Sequence, residues 1–191
     1  MSDKQASWLS VIEMLSAHLA RRPKVELSSL PGRSMVGRAQ ALIAAVGVPV
    51  AQGGTQPAYS PGEDLIYMPS PGWYALGRVW KRPKRYVCDL LHEGVHASGH
   101  KSRLARPQHH QWGDLIYSRE ELVAEIGSCL LMHDLGIHCK RPVLPHGKYL
   151  QSWLANLDNP RLELDMAMAS ANRAAGYMVS VARSNLARRA S

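Results

Sequence analysis

The chain has 191 residues, of which 46% are hydrophobic and 20% charged, a balance that argues against wholesale disorder and suits one folded domain with a buried core. Its 23 Lys and Arg residues against 15 Asp and Glu give a net charge of +8, which favours a polyanionic partner such as nucleic acid or reflects an ordinary basic surface. Three widely spaced cysteines exclude a disulfide framework and a CxxC zinc ribbon, and they suit a reducing compartment.

The first 50 residues predict two helices and no chemical site. Apolar residues at helical spacing indicate a helix over residues 6–20, and a second helix is predicted from Met35 to Val46, ending near Gly47. We expect residues 1–50 to form an N-terminal helical extension packed on the core. The N-terminus lacks a signal-peptide layout, and no apolar run reaches the ~20 residues of a bilayer span. A cytoplasmic protein without membrane contact is therefore expected.

The remainder of the chain predicts a small sheet followed by helices. Short strands are predicted at 58–60 and 64–68 around a Pro61-Gly62 turn. Helices are predicted over 84–98, 118–135, 147–157 and 160–183, the last with Asn159 as its N-cap and Pro160 at its first position. We expect an α+β domain over 51–185, mostly helical with a small antiparallel sheet, and a basic tail at 186–191.

The segment His92-Glu93-Gly94-Val95-His96 carries the pattern of a zinc site. Residues four apart share one face of a helix, so both imidazoles can reach one ion. Glu93 can contact a water on that ion and act as its general base. A five-residue match also arises by chance, so a third ligand has to decide the interpretation.

Two geometries compete for the third ligand. The metzincin pattern needs a histidine at position 102, where this chain has Ser102, whereas the gluzincin pattern takes a glutamate from a following helix. Glu121 suits that role as metal ligand, and Glu125, four residues on, is assigned to accept a hydrogen bond from a histidine ring. The reverse assignment, with Glu125 as the ligand and Glu121 as the acceptor, stays open. A second alternative is that Glu120, Glu121 and Glu125 form a solvated helix face that pairs with Arg119.

Four segments, at 59–69, 86–106, 117–127 and 149–154, resemble in this order the metallopeptidase domain of ArdC-type antirestriction proteins, which belong to plasmids, phages and other mobile elements. The resemblance covers about residues 57–180. It implies a zincin-like metallopeptidase fold, a bound Zn2+ and a peptide or protein substrate. Such proteins usually carry a separate N-terminal domain that binds single-stranded DNA, and residues 1–50 are too short for it. Gly94 stands where the family usually has a bulky apolar residue. The glycine is expected either to admit a close backbone contact or to widen the cleft.

The gluzincin analogy also implies a donor for the transition-state oxyanion. Tyr117 and His146 match family positions near the cleft and are the candidates for this donor. The alternative for Tyr117 is a packing role at the start of a helix. The alternative for His146 is a position beside a helix N-cap. The strand at 64–68 is expected to offer an edge to an extended peptide.

A basic segment precedes the predicted zinc helix. Its cations can contact phosphates while its indole stacks on a base, which makes single-stranded DNA a candidate partner. Lys101, Arg103 and Arg106 would extend this patch, and a solvated basic surface is the alternative. The candidate nucleic-acid contacts are Arg78, Trp80, Lys81, Arg82, Lys84 and Arg85.

The leading hypothesis is thus a zinc-dependent peptidase of gluzincin type with His92, His96 and Glu121 as ligands. The alternative is an antirestriction module that binds DNA or protein on a zincin scaffold, with structural or vestigial zinc. A toxin or effector domain is a third hypothesis.

Overall fold

The computed structural model describes residues 3–23, 27, 30, 32, 34–70, 72, 74, 82–108, 114–137, 151, 154 and 159–190. Within these residues it is a mostly helical α+β fold, as predicted. None of the described helices combines the length and apolar character needed to cross a membrane. The strands are β1 (Val50–Gln52), β2 (Ala58–Ser60) and β3 (Leu65–Met68), and the helices are α1 (Asp3–Arg21), α2 (Met35–Val46), α3 (Arg82–Ser98), α4 (Leu115–Asp134) and α5 (Pro160–Ala190).

Helix ends lie where the sequence supplies capping groups. The Ser34 side chain accepts a hydrogen bond from the Gly37 amide at the start of α2, and Gly47 ends that helix in the left-handed conformation with φ 84°. At the start of α5, the Asn159 side chain accepts a hydrogen bond from the Leu162 amide at 3.1 Å. The predicted helix at 147–157 lies largely outside the described residues.

The sheet is mixed, with strand order β1-β3-β2. The predicted hairpin of β2 and β3 is antiparallel, with Tyr59 opposite Ile66. β1 instead pairs parallel with β3, so the expectation of an antiparallel sheet is wrong for this pair. The sequence pattern did not reveal β1 because it has only three residues and runs into Gly53 and Gly54. Since β3 has a neighbour on each side, it is not the edge strand that was expected, and β2 occupies that place.

Helix α3 lies at the centre of the fold and packs against α2, α4, α5 and the hairpin strands. A Cβ atom at Gly94 would lie 2.4 Å from Ile43 Cδ1 and 3.2 Å from Met178 Cε, so glycine here permits close contact with α2 and α5. The structure thus supports the close-contact interpretation of Gly94. A Cβ atom at Gly127 would lie 2.8 Å from Val95 Cγ2, which shows that α3 and α4 approach equally closely.

The N-terminal helices pack on this core. Arg22, just beyond α1, donates two hydrogen bonds to Asp134 of α4 at 2.8 and 2.7 Å and one to Asn172 of α5 at 2.8 Å. The Asp134 carboxylate is fully buried, so its pairing with Arg22 is required to offset the desolvation of the charge. The domain boundaries after residues 50 and 185 stay a prediction.

Candidate metal centre

Helices α3 and α4 bring His92, His96 and Glu121 together. The two histidine Nε2 atoms are 3.1 Å apart. Glu121 places one carboxylate oxygen 3.5 Å from His92 Nε2 and the other 3.4 Å from His96 Nε2. His92 and Glu121 are buried, and His96 is half-buried.

These separations fit a metal ion. Ligand atoms in a tetrahedral site with bonds of 2.0–2.1 Å lie roughly 3.3 Å from one another. The three observed separations of 3.1, 3.4 and 3.5 Å bracket that distance. Two imidazoles and one carboxylate suit zinc and neighbouring divalent metals, and a three-residue set leaves one position open. These residues can therefore hold a divalent metal in the arrangement predicted for a gluzincin.

Local sequence explains why Glu121 reaches the histidines. Asp114 caps α4 by accepting a hydrogen bond from the Tyr117 amide at 2.7 Å, which sets where the helix begins. The close contact between Gly127 and Val95 then holds α4 against α3. Glu121 thus faces α3 at the level of the histidine pair.

Besides Glu121 at Nε2, the His96 ring has a second carboxylate neighbour: Glu120 lies 3.4 Å from Nδ1. Sequence reasoning missed this contact, and the only signal for it was the adjacency of two acidic residues, Glu120 and Glu121, in α4. Glu125 is fully buried, and its assignment to a histidine ring stays a prediction. The solvated-face alternative is wrong, since Glu120, Glu121 and Glu125 are all buried and Arg119 binds Glu163 of α5 at 2.7 Å.

The electrostatics of the centre favour a proton at His96 when no metal competes. Burial alone would lower the pKa of His96, but hydrogen bonds to Glu120 and Glu121 outweigh it and hold the pKa well above its usual value. Burial likewise opposes the charge on Glu120, yet its contacts with His96 and Arg106 lower the pKa of that carboxyl. A metal ion would displace the His96 proton, because metal ligands bind deprotonated.

The three ligand residues line a cavity of about 340 Å3. Glu93, 7% exposed, and Tyr117 also line it. Strand β2 contributes Ala58 and Tyr59 to the lining. The second candidate oxyanion donor, His146, lies outside the described residues. The remaining lining residues are Pro57, Pro61, Pro107, Gln108, Ile116 and Glu120.

The competing third-ligand position lies away from this cavity. Ser102 is in the turn that follows α3, where its hydroxyl lies 2.7 Å from His100 Nδ1. His100 in turn lies 3.8 Å from Asp64. Neither residue lines the cavity that holds His92 and His96.

The expected basic patch is only partly described. Arg78, Trp80 and Lys81 and the Arg82 side chain lie outside the described residues. Lys84 is half-buried, and Arg85 binds Asp89 at 2.7 Å.

Two of the cations expected to extend that patch form ion pairs within the protein and are largely buried. Arg103 binds both carboxylate oxygens of Asp64, one of them at 3.0 Å, and Arg106 binds Glu120 at 2.7 Å. Both arginine side chains are about nine-tenths buried. Lys101 is exposed, as expected for a surface cation.

Fold and site together define a zincin-like metallopeptidase-type domain. A profile of the zincin-like metallopeptidase family matches residues 37–170, and the chain belongs to that family. The match contains α3, α4 and all three ligand residues of the candidate centre.

The chain is similar to several larger proteins. It is 32% identical to the antirestriction ArdC protein from plasmid R388, whose Mn(II)-bound crystal structure it matches with a TM-score of 0.61 over 75% of this chain and 51% of that one. The metal-free ArdC structure matches with a TM-score of 0.56. The uncharacterized protein y4eC of Sinorhizobium fredii is 31% identical over 80% of this chain and 48% of its own length. A DNA primase TraC of Escherichia coli is 34% identical over 77% of this chain and 13% of its length. The chain thus spans about half, or less, of these relatives.

Proposed function

We propose that this chain is a metal-dependent peptidase in which His92, His96 and Glu121 hold the metal. The observation that carries the proposal is the near-tetrahedral spacing of their ligand atoms, 3.1–3.5 Å apart, in a cavity also lined by the buried acidic side chain that directly follows His92. That side chain is Glu93. A three-residue ligand set beside an accessible cavity is typical of a catalytic rather than a structural metal site.

Glu93 is the proposed general base. When bound, a divalent metal supplies a Lewis acid that polarises a carbonyl and acidifies water. The Glu93 carboxylate follows His92 directly on α3 and opens into the same cavity, so it is suited to take a proton from an attacking water. Tyr117 lines the cavity and is the proposed donor to the developing oxyanion, with His146 as the second candidate.

The proposed substrate is an extended polypeptide segment. Strand β2 lies at the edge of the sheet and borders the metal cavity through Ala58 and Tyr59. An edge strand has unpaired backbone groups with which an extended peptide can form main-chain hydrogen bonds. This supports cleavage of unfolded or loop segments in preference to folded helices.

The test combines zinc analysis with peptide cleavage. The zinc-loaded chain should cleave an unfolded protein or a mixed peptide library, with the products identified by mass spectrometry. Glu93→Gln should lower cleavage by about 100-fold or more, because it removes the general base, while zinc content stays at about one per chain. Glu13→Gln, an exposed position on α1, is the matched control and should cleave like wild type. Equal cleavage by wild type and Glu93→Gln would contradict the proposal.

A second proposal is an antirestriction module that binds DNA or protein, with the metal serving the fold. It is supported by the similarity to the antirestriction ArdC protein and by the net charge of +8. Fluorescence anisotropy with a single-stranded oligonucleotide at 50 and 200 mM salt would test it. Tight binding that weakens steeply with salt and is unchanged in Glu93→Gln would favour this function. Absence of binding at the lower salt would count against DNA as the partner.

A further inference from the structure

A buried ion pair lies directly behind the metal centre. Arg106 donates to both carboxylate oxygens of Glu120, at 3.0 Å from Nε and 2.7 Å from Nη2. The two side chains are only 11% and 10% exposed. A buried ion pair costs several kcal/mol per ion in desolvation, which good geometry and further hydrogen bonds must offset. Arg106 has such bonds, since it also donates to the Val95 carbonyl at 2.7 Å and to Ser98 Oγ at 3.0 Å.

This ion pair has a direct connection to a ligand histidine. Glu120 Oε1 lies 3.4 Å from His96 Nδ1, on the side of the ring opposite the Nε2 atom that faces Glu121. Gln108 approaches the same Glu120 oxygen at 3.4 Å and donates to the His96 backbone carbonyl. Glu120 therefore approaches the His96 ring and Gln108 contacts the His96 backbone, while Arg106 holds the Glu120 carboxylate and the neighbouring Val95 carbonyl. We call Arg106, Gln108 and Glu120 the support cluster.

The support cluster has a consequence for the His96 tautomer. A carboxylate held at Nδ1 favours the tautomer that carries its proton there, which leaves Nε2 free to bind a metal. The 3.4 Å separation is longer than an ordinary N–H···O hydrogen bond, and a shift of a few tenths of an ångström closes it. Arg106 donates to both Glu120 oxygens, which limits rotation of the carboxylate and fixes its direction toward the ring.

Gly99 leaves the space that the support cluster occupies. A Cβ atom at this position would lie 2.5 Å from Gln108 Nε2 and 2.9 Å from Arg106 Nη2. The absence of a side chain at position 99 lets the ends of the Gln108 and Arg106 side chains occupy their observed positions. Any larger residue would push aside the atoms that contact Glu120 and His96.

We propose that Arg106, Gln108 and Glu120 position His96 for metal binding, and that residue 99 is glycine to make room for them. The proposal rests on the metal centre of the proposed function and adds three positioning residues, together with the glycine that leaves space for them. Loss of such support typically weakens metal binding by about 10–100-fold.

The experiment is a zinc titration of the full chain against a chromophoric chelator. Glu120→Gln and Arg106→Met should each weaken zinc binding about 10–100-fold, and Gly99→Ala should weaken it in the same direction without altering any charge. Arg119→Met is the matched control, because Arg119 forms an equally short pair with Glu163 that contacts neither histidine. It should bind zinc like wild type.

Two further measurements separate positioning from general damage. Circular dichroism identifies the variants that fold, and if Arg106→Met unfolds, Glu120→Gln and Gly99→Ala decide the question. Nitrogen-15 NMR of the zinc-loaded protein should show the His96 proton on Nδ1 in wild type and a broadened or shifted signal in Glu120→Gln.

The outcomes distinguish this proposal from the proposed function. Folded variants that bind zinc as tightly as wild type would overturn the positioning role and leave a peptidase intact. Equal loss of zinc in Arg119→Met would also overturn it. Zinc binding by wild type without peptide cleavage would overturn the peptidase and leave the positioning role standing. A wild-type chain that binds no zinc would overturn both.

Discussion

Replacing Gly127 by alanine should destabilise the protein although it improves helix propensity. Gly127 lies within α4, where its missing side chain lets Val95 of α3 approach. A Cβ atom there would lie 2.8 and 3.0 Å from the two Val95 methyl carbons. Val95 is fully buried, and β-branched side chains in helices have essentially one favoured rotamer, so it cannot rotate away cheaply.

The magnitude follows from two opposing effects. Overpacking a close contact costs about 1–3 kcal/mol, and exchanging glycine for alanine within a helix gains about 1 kcal/mol. The net expectation is a loss of about 1 kcal/mol in the free energy of unfolding, which lowers Tm by about 2–4 °C in a chain of this size. The matched control is Gly176→Ala in α5, where nothing lies within 4 Å of the added Cβ atom. That change should stabilise the protein by up to about 1 kcal/mol.

Urea unfolding of wild type and both variants, in the presence of a chelator that removes metal, measures the change in the free energy of unfolding for each substitution. The two substitutions should have opposite signs, although their chemistry is identical. If Gly127→Ala stabilises the chain as much as Gly176→Ala does, the close approach of α3 and α4 is refuted, and with it the account of how Glu121 reaches the histidines.

Two other predictions concern an ion pair and the buried thiols. Hydrogen bonds from Arg119 lower the pKa of Glu163 in the folded protein. The pair therefore stabilises the fold fully above the unfolded-state pKa of about 4.3. This stabilisation is lost as the pH falls through the lower folded-state pKa of Glu163. Glu163→Gln should therefore be less stable than wild type at pH 6 in urea unfolding, with the difference shrinking toward pH 3; a difference that does not change with pH would contradict this. Burial raises the pKa of Cys88 well above its usual value, and Cys129 is also buried. In a Cys139→Ser variant, a thiol reagent should label neither cysteine until the protein unfolds, and rapid labelling of the native protein would show that these thiols are accessible.

Local sequence signals were sufficient to predict most helices and the histidine pair. Gly47 and the N-cap Asn159 mark helix ends that the structure reproduces. The spacing of His92 and His96 on one helix face depends only on helix geometry. Features that depend on one segment alone were therefore predictable.

The support of His96 was not predictable, because it depends on how distant segments pack. Helical spacing places Glu121 and Glu125 on one face, which suggested that Glu125 would contact a histidine. The structure places Glu120 beside the Nδ1 atom of His96, since the turn after α3 folds back and brings Arg106 against Glu120. Arg106 follows the zinc helix together with Lys101 and Arg103, which suggested a surface patch, and nothing local indicated that Gly99 makes room for its burial. Likewise, the three residues of β1 gave too short a pattern to reveal a parallel partner for β3.

The most direct test of the metal centre is the zinc stoichiometry of two isosteric variants, Glu121→Gln and Glu125→Gln, beside wild type. The two glutamates lie one turn apart on α4 and are both buried, and only Glu121 groups with the histidine nitrogens. Wild type and Glu125→Gln should retain about one zinc per chain after dialysis, whereas Glu121→Gln should lose it. Retention of zinc by Glu121→Gln, or its loss from Glu125→Gln alone, would contradict the assignment of His92, His96 and Glu121 as the ligands.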